Sequence, residues 1–479
     1  MASPADIEKP LRGQNMLFAA SLVAFVALVV LVALFRRTPS VSPQHVASPL
    51  VSGTATTLPS DAVVSTTSLA ASPTVYIPGM PSCTCIPTTP APPEATQQAA
   101  EPTSTAHAQA TPLSTSPPAG SVFGLAWFHK PPDIPAATVA AEHRYIHLTG
   151  RSDIPYRNEL RAAGYTGPIY SYVSAGAVGG PGPYKSSAAS CDATYEEPDN
   201  TVAWNKGDFC RYIHPHESWF LHNSKGERLF DDYFGTGHLG YLMNPADTGW
   251  QAFSYERFQY VRDTLKYDGV WLDNLDLTTS RGKNEMKNSD GVVKEYGSDD
   301  AWRTAVQGWL AGLRKHLGSY PIWANVVYGD LDVAAWDPYS PYVDGAMDES
   351  FSVRWLDGWR DPDAWKAQLD RSARWLAAGK GLVMVGQGAK DDLQRMRFTL
   401  ASYMLVATGQ NAFFRYTRFD SYYNELWLYP EFNTARALGA PVGERSEVSP
   451  GVWRRQFANG YVEVDVTGHT GRLVLGEPR

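Results

Sequence analysis

The sequence predicts a (β/α)8 TIM barrel, carried on an N-terminal transmembrane helix and a disordered stalk. Three observations lead to the barrel: eight short apolar runs recur from Val122 onward, amphipathic stretches separate most of them, and no Gly-rich phosphate fingerprint follows the first run. Alternating strand and helix signals over about 300 residues are the pattern of parallel βα units. The missing fingerprint counts against an open doubly wound sheet.

Residues 1–15 read as a cytoplasmic tail. Met16 to Phe35, MLFAASLVAFVALVVLVALF, runs without a charge and closes on Arg36 and Arg37. A cleaved secretory signal has an apolar stretch of about 7 to 15 residues, whereas this run is long enough to span a bilayer. An uncleaved anchor is predicted, with the membrane as a partner. From Thr38 to Gly120 there is no Lys or Arg, only Asp61, Glu94 and Glu101 as acids, in a background of Ser, Thr, Pro and Ala. Such a segment buries too little apolar surface to offset the entropy of ordering it, so 36–120 is predicted to be a disordered stalk. A single-pass protein with its N-terminus inside and its folded part extracytoplasmic, at the cell surface, is expected.

All fifteen tryptophans lie from Trp127 onward, which places the fold in the remainder of the chain. The predicted strands are Val122 to Phe128, Arg144 to Thr149, Pro168 to Val173, Gly269 to Leu275, Pro321 to Val327, Val343 to Asp348, Gly381 to Gln387 and Asn411 to Thr417. Helices are expected over Tyr156 to Ala163, Trp250 to Lys266, Asp300 to Leu317, Asp361 to Ala378 and Asp391 to Ala407. The long stretch between the third and fourth strands holds AGAVGGPGPY, Cys191, Cys210 and His214-Pro-His216-Glu217, and a loop of that size shapes a barrel's mouth. The barrel is assigned to 121–437. Over 438–479, Val452 to Phe457, a turn at Asn459-Gly460 and Tyr461 to Val466 predict a hairpin, with Arg472 to Leu475 as a third strand.

The cysteines number four. An even count outside the cytosol suggests a Cys191–Cys210 disulfide, with two buried free thiols as the alternative; Cys83 and Cys85 fall in the stalk. With 41 Lys and Arg against 49 Asp and Glu, a net charge of -8 and no basic cluster, nucleic acid is excluded as a leading partner. His143 with His147, and His214 with His216, lack a convincing third ligand, so no metal and no cofactor is expected.

The chemical signal lies in two segments that echo one another. Asp268-Gly-Val-Trp-Leu-Asp273 and Asp344-Gly-Ala-Met-Asp-Glu349 both open on Asp-Gly and reach a carboxylate five positions later. Side chains alternate along a strand, so Asp273 and Glu349 should project from equivalent ends of strands four and six, with one strand between them. Strands lie about 4.8 Å apart, which lets the two acids approach to roughly 5 to 9 Å, the separation glycoside hydrolysis requires. The competing reading is that such acids cap a helix or pair with an Arg, and Asp276 and Asp348 are rivals better suited to that structural role. Asn274, Asn325, Gln387 and Arg415 at other strand ends suit sugar hydroxyls, and Trp127, Tyr172 and Trp271 are candidate stacking faces.

The succession of WFLHNSKGERL, Asn244-Pro245, KYDGVWLDN, ANVV, DGAMDESF and LGAPVGERSEVSPGVWRRQFANGYVEVDVT resembles the barrel glycoside hydrolases grouped as hypothetical glycosyl hydrolase family fifteen, from Val122 to Leu475. Asp465 stands where similar sequences often have Asn, a departure confined to the hairpin. An Asp after the fourth strand and an acid after the sixth are also similar to retaining α-galactosidase-type barrels. The resemblance implies Asp273 as nucleophile, Glu349 as acid/base and a carbohydrate substrate. A catalytically idle carbohydrate-binding barrel and a metal-dependent hydrolase using the His214 and His216 loop are the other classes to be separated from it.

Overall fold

The structure, a computed structural model, describes residues 120–476 apart from 233–237, 328–331, 356–357, 410, 419–421 and 423. The expected anchor, and the stalk up to residue 119, lie outside the described residues; no helix among the described residues is long and apolar enough to cross a membrane.

Eight parallel strands close into a barrel: β1 (Leu125–Phe128), β2 (His143–Thr149), β3 (Ile169–Ser174), β4 (Gly269–Asp276), β5 (Ile322–Val327), β6 (Gly345–Asp348), β7 (Gly381–Gln387) and β8 (Ala412–Thr417). They coincide with the eight apolar runs to within three residues at each end. The helices are α1 (Ala136–Glu142), α2 (Ile154–Ala162), α3 (Thr248–Tyr260), α4 (Ser280–Asn284), α5 (Asp299–Leu317), α6 (Pro362–Ala377), α7 (Leu393–Val406) and α8 (Pro430–Ala437). Three of them, α1, α4 and α8, are five to eight residues long and carry no periodicity that sequence reading could have caught. Asp247 caps α3 by accepting from the Gly249 and Trp250 amides, so that helix starts two residues before the expected Trp250. Its end is earlier too: Val261–Leu265 winds as a π-turn, and Lys266 closes it at φ 60°.

Alternation divides the strand residues between two cores. Leu125, Trp127, Ile146, Leu148, Val270 and Leu272 pack under the helices, whereas Ala126, Phe128, Tyr145, Tyr170, Trp271, Trp323, Met347 and Phe413 fill the barrel. Tyr145 plugs the lower interior, with its ring centroid 5.1 Å from Tyr170, 4.8 Å from Trp323 and 5.2 Å from Phe413. A Cβ on Gly345 would stand 2.3 Å from the Trp323 ring, and one on Gly269 would stand 2.7 Å from Tyr170, so both glycines of the echoed Asp-Gly pairs are required by close approach.

The loop between β3 and β4 holds an antiparallel sheet of Ala177–Gly180, Leu239–Leu242 and Phe230–Asp231, in that spatial order. Cys191 and Cys210 are bridged within it, their Cα atoms 5.4 Å apart. His214 bonds the buried Arg228 guanidinium and the Ala189 carbonyl, and His216 stacks on Trp219. Among the described residues no group of three His, Cys, Asp or Glu is arranged to hold a metal.

After the barrel comes an antiparallel sheet of β9 (Ser446–Ser449), β10 (Val452–Phe457), β11 (Gly460–Asp465) and β12 (Thr470–Leu475), packed on α7. The expected hairpin and third strand are there. The fourth, β9, is exposed at every position and has no alternation to announce it.

Candidate active site

Asp273 and Glu349 converge at the C-terminal end of the barrel, the end where barrel active sites are built. Between them stands Asn325 on β5. Its Nδ2 donates to Asp273 Oδ1 at 3.1 Å and to Glu349 Oε2 at 2.7 Å. One nitrogen bonded to both acids holds those two oxygens within about 6 Å of each other, inside the range over which paired carboxylates cooperate on one glycosidic bond.

A break in the β4–β5 register aims Asp273. Leu272 pairs with Ala324 and Leu275 with Val326, so Asp273 and Asn274 together face Asn325 alone. This is a β-bulge, and Asn274 absorbs it with a left-handed φ of 57° that Asn tolerates better than most residues. The Asn274 amide then donates to Asp273 Oδ1 at 2.9 Å and its Nδ2 to Oδ2 at 3.3 Å, while the Tyr172 hydroxyl donates to Oδ2 at 2.5 Å. Asn274 is itself held, since its Oδ1 accepts from Arg281 at 2.9 Å.

Glu349 is placed differently. It follows directly on β6, and burial first, then the nearby Asp273 charge, push its carboxyl up to about 8. Gln387 at the end of β7 donates to the Glu349 carbonyl at 3.0 Å and also meets the Tyr422 hydroxyl, which hydrogen-bonds the Glu349 carboxyl. Arg415 donates to the Tyr422 carbonyl at 2.5 Å and lies 4.3 Å over the Trp127 ring. His129 and His147 pack beside Tyr172, their ring centroids 4.9 Å and 5.9 Å from its own. Burial, with the Arg415 charge adding to it, holds His129 at about 3, and burial takes His147 well below the ordinary histidine range. Both rings are therefore neutral near pH 7 and bring no cation to the two acids.

Six of the nine expected site residues thus meet in one network: Asp273, Glu349, Tyr172, Asn274, Asn325 and Gln387. Arg415 joins it through Tyr422. Trp271 lies one layer deeper, 1% exposed, its ring 5.1 Å beneath Tyr172 and 4.4 Å from His147. Trp127 needs correction. Its position on β1 turns it toward the helices, where it is 1% exposed with Nε1 on the His129 carbonyl, so it offers no face to a sugar; Phe128, next along the strand, is the inward ring.

The rival acids sit in structural bonds. Asp276, one residue past the expected strand Gly269 to Leu275, is the last residue of β4 and pairs with Arg281 at 2.8 Å, its carboxyl raised by burial. Asp348 is buried against α6, bonded to Arg371 at 2.8 Å and to Gln368. Sequence reading missed Tyr422, Arg281 and His129. Tyr422 and Arg281 lie off the barrel strands, Tyr422 in the connection after β8 and Arg281 on the five-residue helix α4, where no periodicity marks a residue as inward.

Comparison with known proteins adds the following. A family model described as Hypothetical glycosyl hydrolase family 15 matches residues 184–461, more than half of the chain. No curated protein matches the sequence. Among solved structures, the glycoside hydrolase domain of PelA from Pseudomonas aeruginosa is similar at 14% identity, over 65% of this chain and 99% of that one, with a TM-score of 0.41. The alpha-galactosidase TtGalA from Thermus thermophilus is similar at 11% identity over 74% of this chain and 68% of that one, with a TM-score of 0.40. An alpha-amylase from Malbranchea cinnamomea is similar at 10% identity over 68% and 75%, also at 0.40. On the extent of the family match, the chain belongs to hypothetical glycosyl hydrolase family 15 and is a glycoside hydrolase.

Proposed function

We propose that the protein is a retaining glycosidase acting on a poly- or oligosaccharide outside the cell, with Asp273 as nucleophile and Glu349 as acid/base. The observation that carries this reading is the bridged pair itself, two acids held by one amide, with the Glu349 carboxyl pushed up to about 8. An acid that keeps its proton near neutral pH is suited to donate it. In the first half-reaction Asp273 attacks the anomeric carbon, the glycosidic C–O bond breaks, and the Glu349 proton passes to the departing oxygen. In the second, Glu349 takes a proton from water as that water displaces Asp273, which restores both carboxyls. Tyr172, Asn274 and Asn325 orient the Asp273 oxygens throughout. Attachment through Met16 to Phe35, with the catalytic domain held off the membrane by the stalk, is the cellular setting we infer from the sequence.

The test separates the two acids. Asp273→Asn should abolish turnover of every glycoside. Glu349→Gln, given an activated leaving group, should still be glycosylated, accumulate the covalent species by mass spectrometry, and recover turnover with azide. Product of inverted anomeric configuration by NMR would overturn the retaining assignment.

A further inference from the structure

Among the described residues Trp355 is the only tryptophan that stands exposed, at 39%. It lies just beyond Glu349, in the connection that follows β6. A single exposed ring is ordinary on a protein surface, so the role of this one turns on what anchors it and what it faces.

The described residues on either side of it are anchored. Val353 and Trp359 pair as an antiparallel bridge around it, and the Arg354 amide donates to the Gly358 carbonyl at 3.4 Å. The buried Arg395 donates to the Arg354 carbonyl at 3.0 Å and to the Gly358 carbonyl at 2.8 Å, and its Nε reaches the carbonyl of Gln387. One guanidinium thus ties Arg354 and Gly358 to the end of β7.

Its position relative to the acids is asymmetric. The Trp355 ring centroid is 6.3 Å from that of Tyr422, the planes 30° apart, and the Tyr422 hydroxyl bonds Glu349 and Gln387. The Asp273 side of the site is instead occupied by Tyr172 and Asn274. Trp355 therefore extends the wall on the Glu349 side. An acid/base protonates the departing oxygen, so whatever is bonded to that oxygen lies on its side of the cleft.

We propose that Trp355 is the stacking platform for the first sugar on the leaving-group side, and that the substrate is consequently an oligo- or polysaccharide bearing a sugar there rather than a glycoside of a small alcohol. The apolar C–H face of a pyranose ring and an indole face are complementary in shape and polarity. This assignment rests on Glu349 as the acid/base.

The experiment uses the full-length protein and paired substrates that share one glycosyl group: a glycosyl fluoride, whose leaving group is too small to reach Trp355, and the corresponding oligosaccharide. The pairs cover glucosyl, galactosyl and mannosyl groups in both anomeric forms. For the pair that is hydrolysed, Trp355→Ala should lower the ratio of kcat/KM on the oligosaccharide to kcat/KM on the fluoride by about tenfold, roughly what an aromatic contact contributes. Trp355→Phe should recover most of that ratio. An unchanged ratio overturns the platform, whether both rates fall together through a folding defect or neither falls. Asp273→Asn and Glu349→Gln are run alongside. Oligosaccharide turnover surviving in either one removes the acid pair, an outcome distinct from an unchanged Trp355 ratio, and wild-type protein that cleaves no pair overturns both.

Discussion

At the scale of single residues, Glu349 couples activity and stability to pH in a way that can be measured. Its carboxyl is raised from 4.5 to about 8, so between those values the folded protein holds a proton that the unfolded chain has released. The stability this group contributes is complete below its unfolded value and is lost as pH rises through its folded one. Glu349→Gln, which cannot ionise, should therefore melt at a higher temperature than wild type at pH 9, by on the order of 3 °C or more, with the difference vanishing near pH 4. The reverse order at pH 9 would refute the raised carboxyl. In the wild-type enzyme kcat/KM should fall above about pH 8 as the donor proton is lost, and that limb should be absent from Glu349→Gln acting on an activated substrate.

At the scale of elements, the two echoed segments show how far a sequence pattern carries. Their last residues are the acid pair, but their first residues have a different duty. Asp268 accepts from the Ile169 amide at 2.8 Å and from Arg161 at 2.5 Å, and Asp344 accepts from the Ile322 amide at 2.8 Å and from Arg314 at 2.7 Å. Each pins the start of the neighbouring strand to a preceding helix, while the following Gly admits a ring from that strand. The repeat is thus half barrel construction and half site. Asp344→Ala should cost about 1–2 kcal/mol of stability by urea titration and leave KM unchanged, because it acts at the opposite end of β6 from Glu349. A changed KM with intact stability would contradict that division.

The strands were legible because a buried parallel strand is a short apolar run, and Asp273 and Glu349 because an acid closing such a run is costly. The bulge at Asn274 was not, since it depends on how β4 meets β5 and leaves no mark in either strand alone. Trp127 misled for a related reason: an aromatic on a strand announces burial without saying on which face, and Phe128 beside it looks the same in sequence.

At the scale of the whole molecule, the chain combines a barrel with a stretch of more than eighty residues that lacks Lys and Arg. If Met16 to Phe35 is retained and the barrel lies outside, protease added to intact cells should free the folded domain by cutting within Thr38 to Gly120, detected as soluble enzyme of about the barrel's mass. Protection until the membrane is broken would reverse the orientation.

The closed ring of strands also bears on how copies of the protein meet at high concentration. A barrel has no first or last strand, so none of its backbone amides is left to recruit a neighbour's. In the sheet after it, β9 forms an outer margin, and all four of its side chains stand in solvent. Glu447 lies in that strand and Pro450 directly after it, a charge and a residue without an amide hydrogen, both of which discourage edge-to-edge growth into fibrils.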